Sequence, residues 1–415
     1  MKNMKYILGL LFLLLSVRLY SQELLNQYIE TAATNNPALK AKFNDYQASL
    51  EVIPQVGALP DPQIAFGYFI QPVETRYGPQ KARLSVSQIF PWLGTLNAKE
   101  NVAIQSAKAK YEVFEEAKSR LFYEVKSAYF DLYVTGKAIQ ITKENLEILN
   151  SFNRLALIKI EAGKVSAVDG LRIEMELADL KNQLALLKDT RFAQTVKFNN
   201  LLNVNNNSEI ILPDTLWNNS FFLNKAALKD SIMKGNHELV KLDFQSEALN
   251  YKEQVAKKSA SPSFNIGLDY IAIGNTDNSM VSGNLSGSDA IIFPKIGITI
   301  PIYRNKYKAM VEEAVYLQQA NTEQRADKAN MAETVFENSY KEYSDADRQI
   351  VLFKKQTIYA LQALSILETD YKAGKTGFEE LLRMERQVLK YSLELEKAKA
   401  DKQAAKAFIH YLMGN

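Results

Sequence analysis

The acids and bases that follow two Ala-Gly-Lys turns are the residues of this chain best placed to act on other molecules. One set lies in Ile160–Glu174 and carries Asp169; the other lies in Tyr371–Glu385 and carries Glu379, Glu380 and Arg383. Charges on the first turns of helices complement the helix dipole, and they act on ions through their field rather than by forming bonds. Covalent chemistry has little to work with. Cysteine is absent, which removes disulfides, thiolate metal sites, thiol nucleophiles and a lipidated N-terminal cysteine. His237 and His410 stand far apart in sequence, with no paired-histidine metal motif, nucleophile elbow or phosphate loop. The carboxylates are spread along helical faces instead of gathering. The expectation is a protein with no catalytic residues, no cofactor and no metal site.

The two charged sets are copies of one another. Gly163 and Gly374 lie 211 positions apart, and Pro91 and Pro301, each ending an alternating apolar run, lie 210 apart. Two independent marks at nearly one offset define a tandem duplication, and each copy is one structural unit. The match continues past the turns Ala162-Gly163-Lys164 and Ala373-Gly374-Lys375: Leu171-Arg172-Ile173-Glu174 answers Leu382-Arg383-Met384-Glu385. Glycine at each turn supplies the left-handed backbone that ends one helix before the next begins.

Charge is nearly balanced, with 50 basic against 47 acidic residues, which leaves no electrostatic footprint for nucleic acid. Lys2 and Lys5 precede an apolar run from Ile7 to Leu15, and Ser21 offers a small residue before Gln22. That pattern is a secretory signal peptide over residues 1–21, too short to span a bilayer. Export is expected.

The elements that position the charged turns follow from periodicity. The first repeat spans 22–203, a linker rich in Asn and Pro spans 204–222, and the second repeat spans 223–415. Each repeat opens with two helices, broken near Asn35-Asn36-Pro37 in the first and Gly235-Asn236-His237 in the second. Strands follow at about 63–70 and 82–89, then at about 264–273 and 292–300, each of a length that crosses a tilted path through a bilayer. Ile64, Phe66, Tyr68 and Ile70 alternate with Ala65, Gly67 and Phe69. Four strands alone leave two open edges, which several copies of the chain would close into a barrel.

Helical hairpins over about 95–203 and 304–413 complete the repeats. The helix before the first turn is free of proline from about Leu96 to Ile160, roughly 100 Å at the helical rise. Its distal half is read as a seam of Val134, Ala138, Ile141, Ile148, Phe152 and Leu155 facing Ile173, Leu177, Leu180, Leu184 and Leu187. The second hairpin sets Ile350, Phe353, Ala360, Leu364 and Leu367 against Leu381, Val388 and Leu395. The fold class is mainly α with a small β part: duplicated coiled-coil hairpins and four strands per chain. An exported coiled-coil scaffold without a pore is the alternative, and entry of the strands into lipid separates the two.

The ordered set of helix, strand hairpin, long helix, turn and returning helix, closed by Phe-Pro-Trp-Leu-Gly at 90–94 and Ile-Pro-Ile-Tyr at 300–303, resembles the TolC family of outer-membrane efflux channels. The resemblance covers almost the whole chain after the signal peptide. It implies a homotrimer whose twelve strands close one barrel among outer-membrane lipids and whose helices form a periplasmic tunnel. It also implies a passive exit duct of a tripartite system, with a periplasmic adaptor (membrane fusion) protein and an inner-membrane pump of the RND type or similar. The adaptor would dock on Ala162, Gly163, Lys164, Ala373, Gly374 and Lys375. Matched from Tyr371 and Gly374, the family's two acidic ring positions fall on Glu380 and Arg383, so one acid is kept and one is replaced by a base. Asp169 holds the corresponding place in the first repeat. The family's basic gate residue aligns with Thr376, beside Lys375. The pore entrance is therefore expected at Glu380, Arg383, Asp169, Tyr371 and Lys375.

Overall fold

The computed structural model describes residues 23–75, 78–163, 166–217, 220–221, 224–274 and 290–415. The signal peptide read over residues 1–21, most of the loop after residue 274 and Lys164 lie outside them. The described chain forms two compact units. Among the described residues, one draws on 23–43, Phe114–Leu239 and Lys328–Asn415, the other on Asn44–Val113 and Val240–Asp327.

In the first unit, helix α1 (23–35) stops at Asn36 and α2 (Pro37–Leu50) begins at a proline whose missing N–H costs nothing in a first turn. The Asn36 side chain accepts from the Leu39 N–H at 3.1 Å and donates to the Leu201 carbonyl at 3.0 Å. Asn236 repeats both bonds, accepting from the Glu238 N–H at 3.1 Å and donating to the Leu412 carbonyl at 3.0 Å. One asparagine per repeat thus caps a starting helix and ties it to the end of the returning one.

Beyond the two helices expected before the first strand, a third, α3 (Val52–Gly57), follows Glu51. Pro54 is tolerated there because it is the third residue, where a helix has no acceptor for its N–H. Strands β1 (Gln63–Val73), β2 (Gln80–Phe90), β3 (Ser263–Ile273) and β4 (Ala290–Thr299) form one antiparallel sheet in that order, so β1 and β4 are its edges.

Register puts like residues on one face. Phe66, Leu84, Tyr270 and Ile292 form one cross-strand row, and Ile64, Val86 and Leu268 form the next. These side chains are exposed: Phe66 by 72%, Ile64 by 72% and Tyr270 by 50%. The opposite face is more polar, carrying Arg83, Ser85, Ser87, Asn265, Asp269, Lys295 and Thr299 beside Ala65, Ile271, Ile291 and Phe293. An apolar face open to the surroundings behind a polar one is the arrangement of a barrel wall in lipid.

The long helices are α4 (Thr95–Glu161), α5 (Ala167–Leu202), α8 (Arg304–Lys372) and α9 (Phe378–Leu412), with α6 (Lys225–Gly235) and α7 (His237–Ser259) opening the second repeat. Around the turns, α4, α5, α8 and α9 share one core of Leu149, Phe152, Ala156, Ile173, Leu177, Leu180, Leu364, Tyr371, Phe378, Leu381 and Leu382. The returning-helix seam Ile173, Leu177, Leu180 is buried as read. The α4 seam keeps Phe152 as read, but beside the other read positions the buried residue is the next one, Thr135, Ile139, Thr142, Leu149 and Ala156, with Asn145 buried between them, while Ile148 is 37% exposed. The buried stripe includes Thr135, Thr142 and Asn145, and a hydrophobic pattern passes over them for apolar neighbours.

Candidate functional site

The hairpin turns are built from backbone first. Gly163 and Gly374 hold φ of +70° and +76°, and an added Cβ would meet nothing within 4 Å at either, so backbone conformation rather than space demands glycine. At the second turn the Gly374 N–H bonds to the Tyr371 carbonyl at 3.1 Å and the Lys375 N–H to the Asp370 carbonyl at 2.9 Å, which satisfies the last carbonyls of α8. The following helices start differently. Ser166 caps α5 by accepting from the Val168 N–H at 3.2 Å, whereas Gly377 precedes α9 with no side-chain cap. Glu379 and Glu380 stand in the first turn of α9 and Asp169 in that of α5, where the helix dipole favours acids.

Of the residues expected at the pore entrance, Glu380 and Arg383 are ion-paired to each other along α9, both largely exposed. Asp169 is paired to Arg172 at 3.4 Å, and the same guanidinium reaches Glu379 at 3.1 Å, joining the first turn of α5 to that of α9. Tyr371 is buried, with its ring edge-on to Phe378 at 5.6 Å and under the Lys159 ammonium at 4.1 Å. Lys159 also donates to the Tyr371 carbonyl. Burial raises the Tyr371 phenol above its ordinary pKa, with Asp169 adding to the shift. Lys375 is exposed, as are Ala162, Gly163, Ala373 and Gly374 at the turns themselves.

Several groups at this site were not singled out from sequence. Arg386 of α9 pairs with Glu176 of α5, two chain positions 210 apart. The Asn145 amide on α4 donates to Glu385 on α9, whose carboxylate is 1% exposed. Burial, then the charge of Glu368, pushes the Glu385 carboxyl up to about 7. The signal for Glu385 is positional: it lies four residues after Leu381 and three before Val388, a charged residue on an apolar seam. Its counterpart Glu174 is exposed.

The tip is therefore four helix ends joined across the two repeats by ion pairs and one buried amide–carboxyl bond, with charge presented outward.

Residues 28–204 match the family described as outer membrane efflux protein. No curated protein sequence matches the chain. Solved structures with the same fold include the outer-membrane protein VceC of Vibrio cholerae, at TM-score 0.77 and 16% identity over 94% of this chain and 96% of that one. The outer-membrane channel CmeC of Campylobacter jejuni aligns at TM-score 0.76 and 15% identity over 94% and 86% of the two chains. MtrE of Neisseria gonorrhoeae, solved in an open state, aligns at 0.77 and 16% over 94% and 89%. The first repeat thus matches the outer membrane efflux protein family, and the fold of solved outer-membrane channels extends along nearly the whole chain.

Proposed function

We propose that this exit duct is completed by three copies meeting edge to edge at β1 and β4, and that it is loaded at the hairpin tip by a periplasmic adaptor of the membrane-fusion class working with an inner-membrane pump of the RND type or similar. The observation that carries the reading is the sheet: four strands with two open edges and an apolar face left exposed. Lipid tolerates neither open edges nor unpaired backbone, and closure with neighbouring copies removes both. Exposed apolar side chains on the distal hairpins, among them Val351, Ile358 and Ile366 on α8 and Leu171 and Met175 on α5, fit burial against those copies.

In this reading the entrance of the duct lies at Glu380, Arg383, Asp169, Tyr371 and Lys375, and the adaptor rests on Ala162, Gly163, Lys164, Ala373, Gly374 and Lys375. Pairing of Glu380 with Arg383 lowers the repulsion that three bare acids would suffer around a threefold axis. Contacts from the first-repeat hairpin to the second, Lys159 to Tyr371, Arg172 to Glu379 and Arg386 to Glu176, would hold the tip in its resting arrangement.

Electron microscopy of protein extracted from the outer-membrane fraction tests the assembly. Threefold hollow cylinders are the expected result. Monomers, filled rods, or recovery in the soluble periplasmic fraction would replace the duct with an exported coiled-coil scaffold.

A further inference from the structure

The described strand residues hold four charged side chains: Lys81 and Arg83 on β2, Asp269 on β3 and Lys295 on β4. Three are basic and one is acidic. Asp269 pairs with Ser85 in register on one side and with Phe293 on the other, so Arg83 and Lys295 each stand two residues along a neighbouring strand, on the same face of the sheet. Both reach it: Arg83 forms an ion pair with one carboxylate oxygen, and the Lys295 ammonium lies 2.7 Å from the other.

Exposure separates the partners. The Asp269 side chain is 1% exposed, while those of Arg83 and Lys295 are 41% and 36% exposed. The acid is a buried anchor that fixes two bases across three strands, and what the surface presents is guanidinium and ammonium. Ser85, Ser87, Gly67, Gly267 and Gly297 neighbour them on the same face together with the apolar Ile271 and Phe293, and no second acid lies among the described strand residues.

This polar face lies behind the exposed apolar rows, so in a closed barrel it lines the lumen. We infer that the barrel interior is an anion-preferring segment of the duct, with Arg83 and Lys295 as its selectivity-determining residues and with anionic solutes as the cargo class it favours. The inference rests on the duct reading above. Threefold symmetry turns one such cluster into a ring of cationic groups at one level of the pore, and rings of basic side chains select anions by their field. At the tip, Glu380 is already matched by Arg383 and supplies no bare acidic ring to oppose it.

The test is the reversal potential of the purified trimer in planar bilayers under a potassium chloride gradient at low ionic strength, where the field is least screened. The wild-type protein is expected to reverse on the anion side. Arg83→Gln/Lys295→Gln should move the reversal potential to zero or beyond, toward cations. Lys295→Gln alone, which keeps the Arg83 pair with Asp269 and so guards against misfolding, should move it part of the way. Trimers that conduct normally but reverse on the cation side, or whose reversal potential is the same in all three proteins, overturn the inference and leave the duct standing. Absence of trimers and of any conductance in the wild-type protein overturns the duct reading and the inference together.

Discussion

The Asn145 side-chain amide donates to the buried carboxylate of Glu385, joining α4 of the first repeat to α9 of the second. Only one carboxylate oxygen is satisfied; the other is buried with no hydrogen-bond partner among the described residues. An ionised carboxylate in that position is costly, and the protonated form is favoured in its place.

The pH dependence of the tip follows from that group. The folded pKa of Glu385 is raised to about 7 from an ordinary 4.5, so the folded tip binds the proton more tightly than the unfolded chain does. Its stability is greatest below about 4.5, falls as pH rises through the window to about 7, and is level above that. At about 1.4 kcal/mol per unit the full change is a few kcal/mol. Hydrogen exchange over the distal parts of α4 and α9 should therefore quicken from pH 5 to pH 8 after correction for intrinsic rates. Glu385→Gln keeps the acceptor for Asn145 and should remove the pH dependence while slowing exchange at pH 8. An unaltered pH profile in the variant would reject the assignment.

Glycine at the second turn should be required for backbone conformation alone. Gly374→Ala places a Cβ at φ +76° in open space and should destabilise the tip by about 1–2 kcal/mol, the cost of left-handed backbone for an L residue. Gly374→Asn should recover much of the loss, because asparagine tolerates that conformation. Thermal denaturation of the three proteins separates this from a steric effect, in which the larger Asn would be worse than Ala.

Arg172 holds Asp169 on its own helix and Glu379 on α9. Arg172→Ala should loosen the contact between repeats and raise the share of higher-conductance openings in single-channel records. Arg172 and Glu379 are largely exposed, so their coupling is worth about 1 kcal/mol or less, and the shift should stay below roughly tenfold. If Arg172→Ala and Glu379→Gln act independently in a double-mutant cycle, the pair does not hold the tip.

Glu380 and Arg383 make opposite predictions. Glu380→Gln leaves a bare base in each copy and should turn the tip toward anions; Arg383→Gln leaves a bare acid and should turn it toward cations. Measured on the Arg83→Gln/Lys295→Gln background, the two variants isolate the tip from the barrel. No shift in reversal potential with either would place the entrance elsewhere.

Sequence patterns carry the repeat, the strands and the helix stops because each is a property of neighbouring residues. Alternation of Ile64, Phe66, Tyr68 and Ile70 needs only a period of two, and Gly163 and Gly374 mark turns by the one conformation glycine alone adopts freely. The same locality explains the α4 seam. Thr135, Thr142 and Asn145 are buried where a hydrophobic pattern expects apolar groups, and the Asn145 partner, Glu385, lies on another helix.

The electrostatics of the hairpin turns and of the sheet needed the tertiary fold. Glu174 and Glu385 are equivalent by repeat, yet one is exposed and the other buried, because packing around the tip treats the two returning helices differently. Arg386 meets Glu176 across 210 positions, and Arg83 meets Asp269 across 186. By itself the sequence determined a duplicated chain of strand hairpins and long helical hairpins, since periodicity and backbone preference act over a few residues. Which charges are anchored, paired or left facing outward was decided by the packing of helices and the register of strands, because ion pairs and burial depend on distances in space that sequence spacing does not contain.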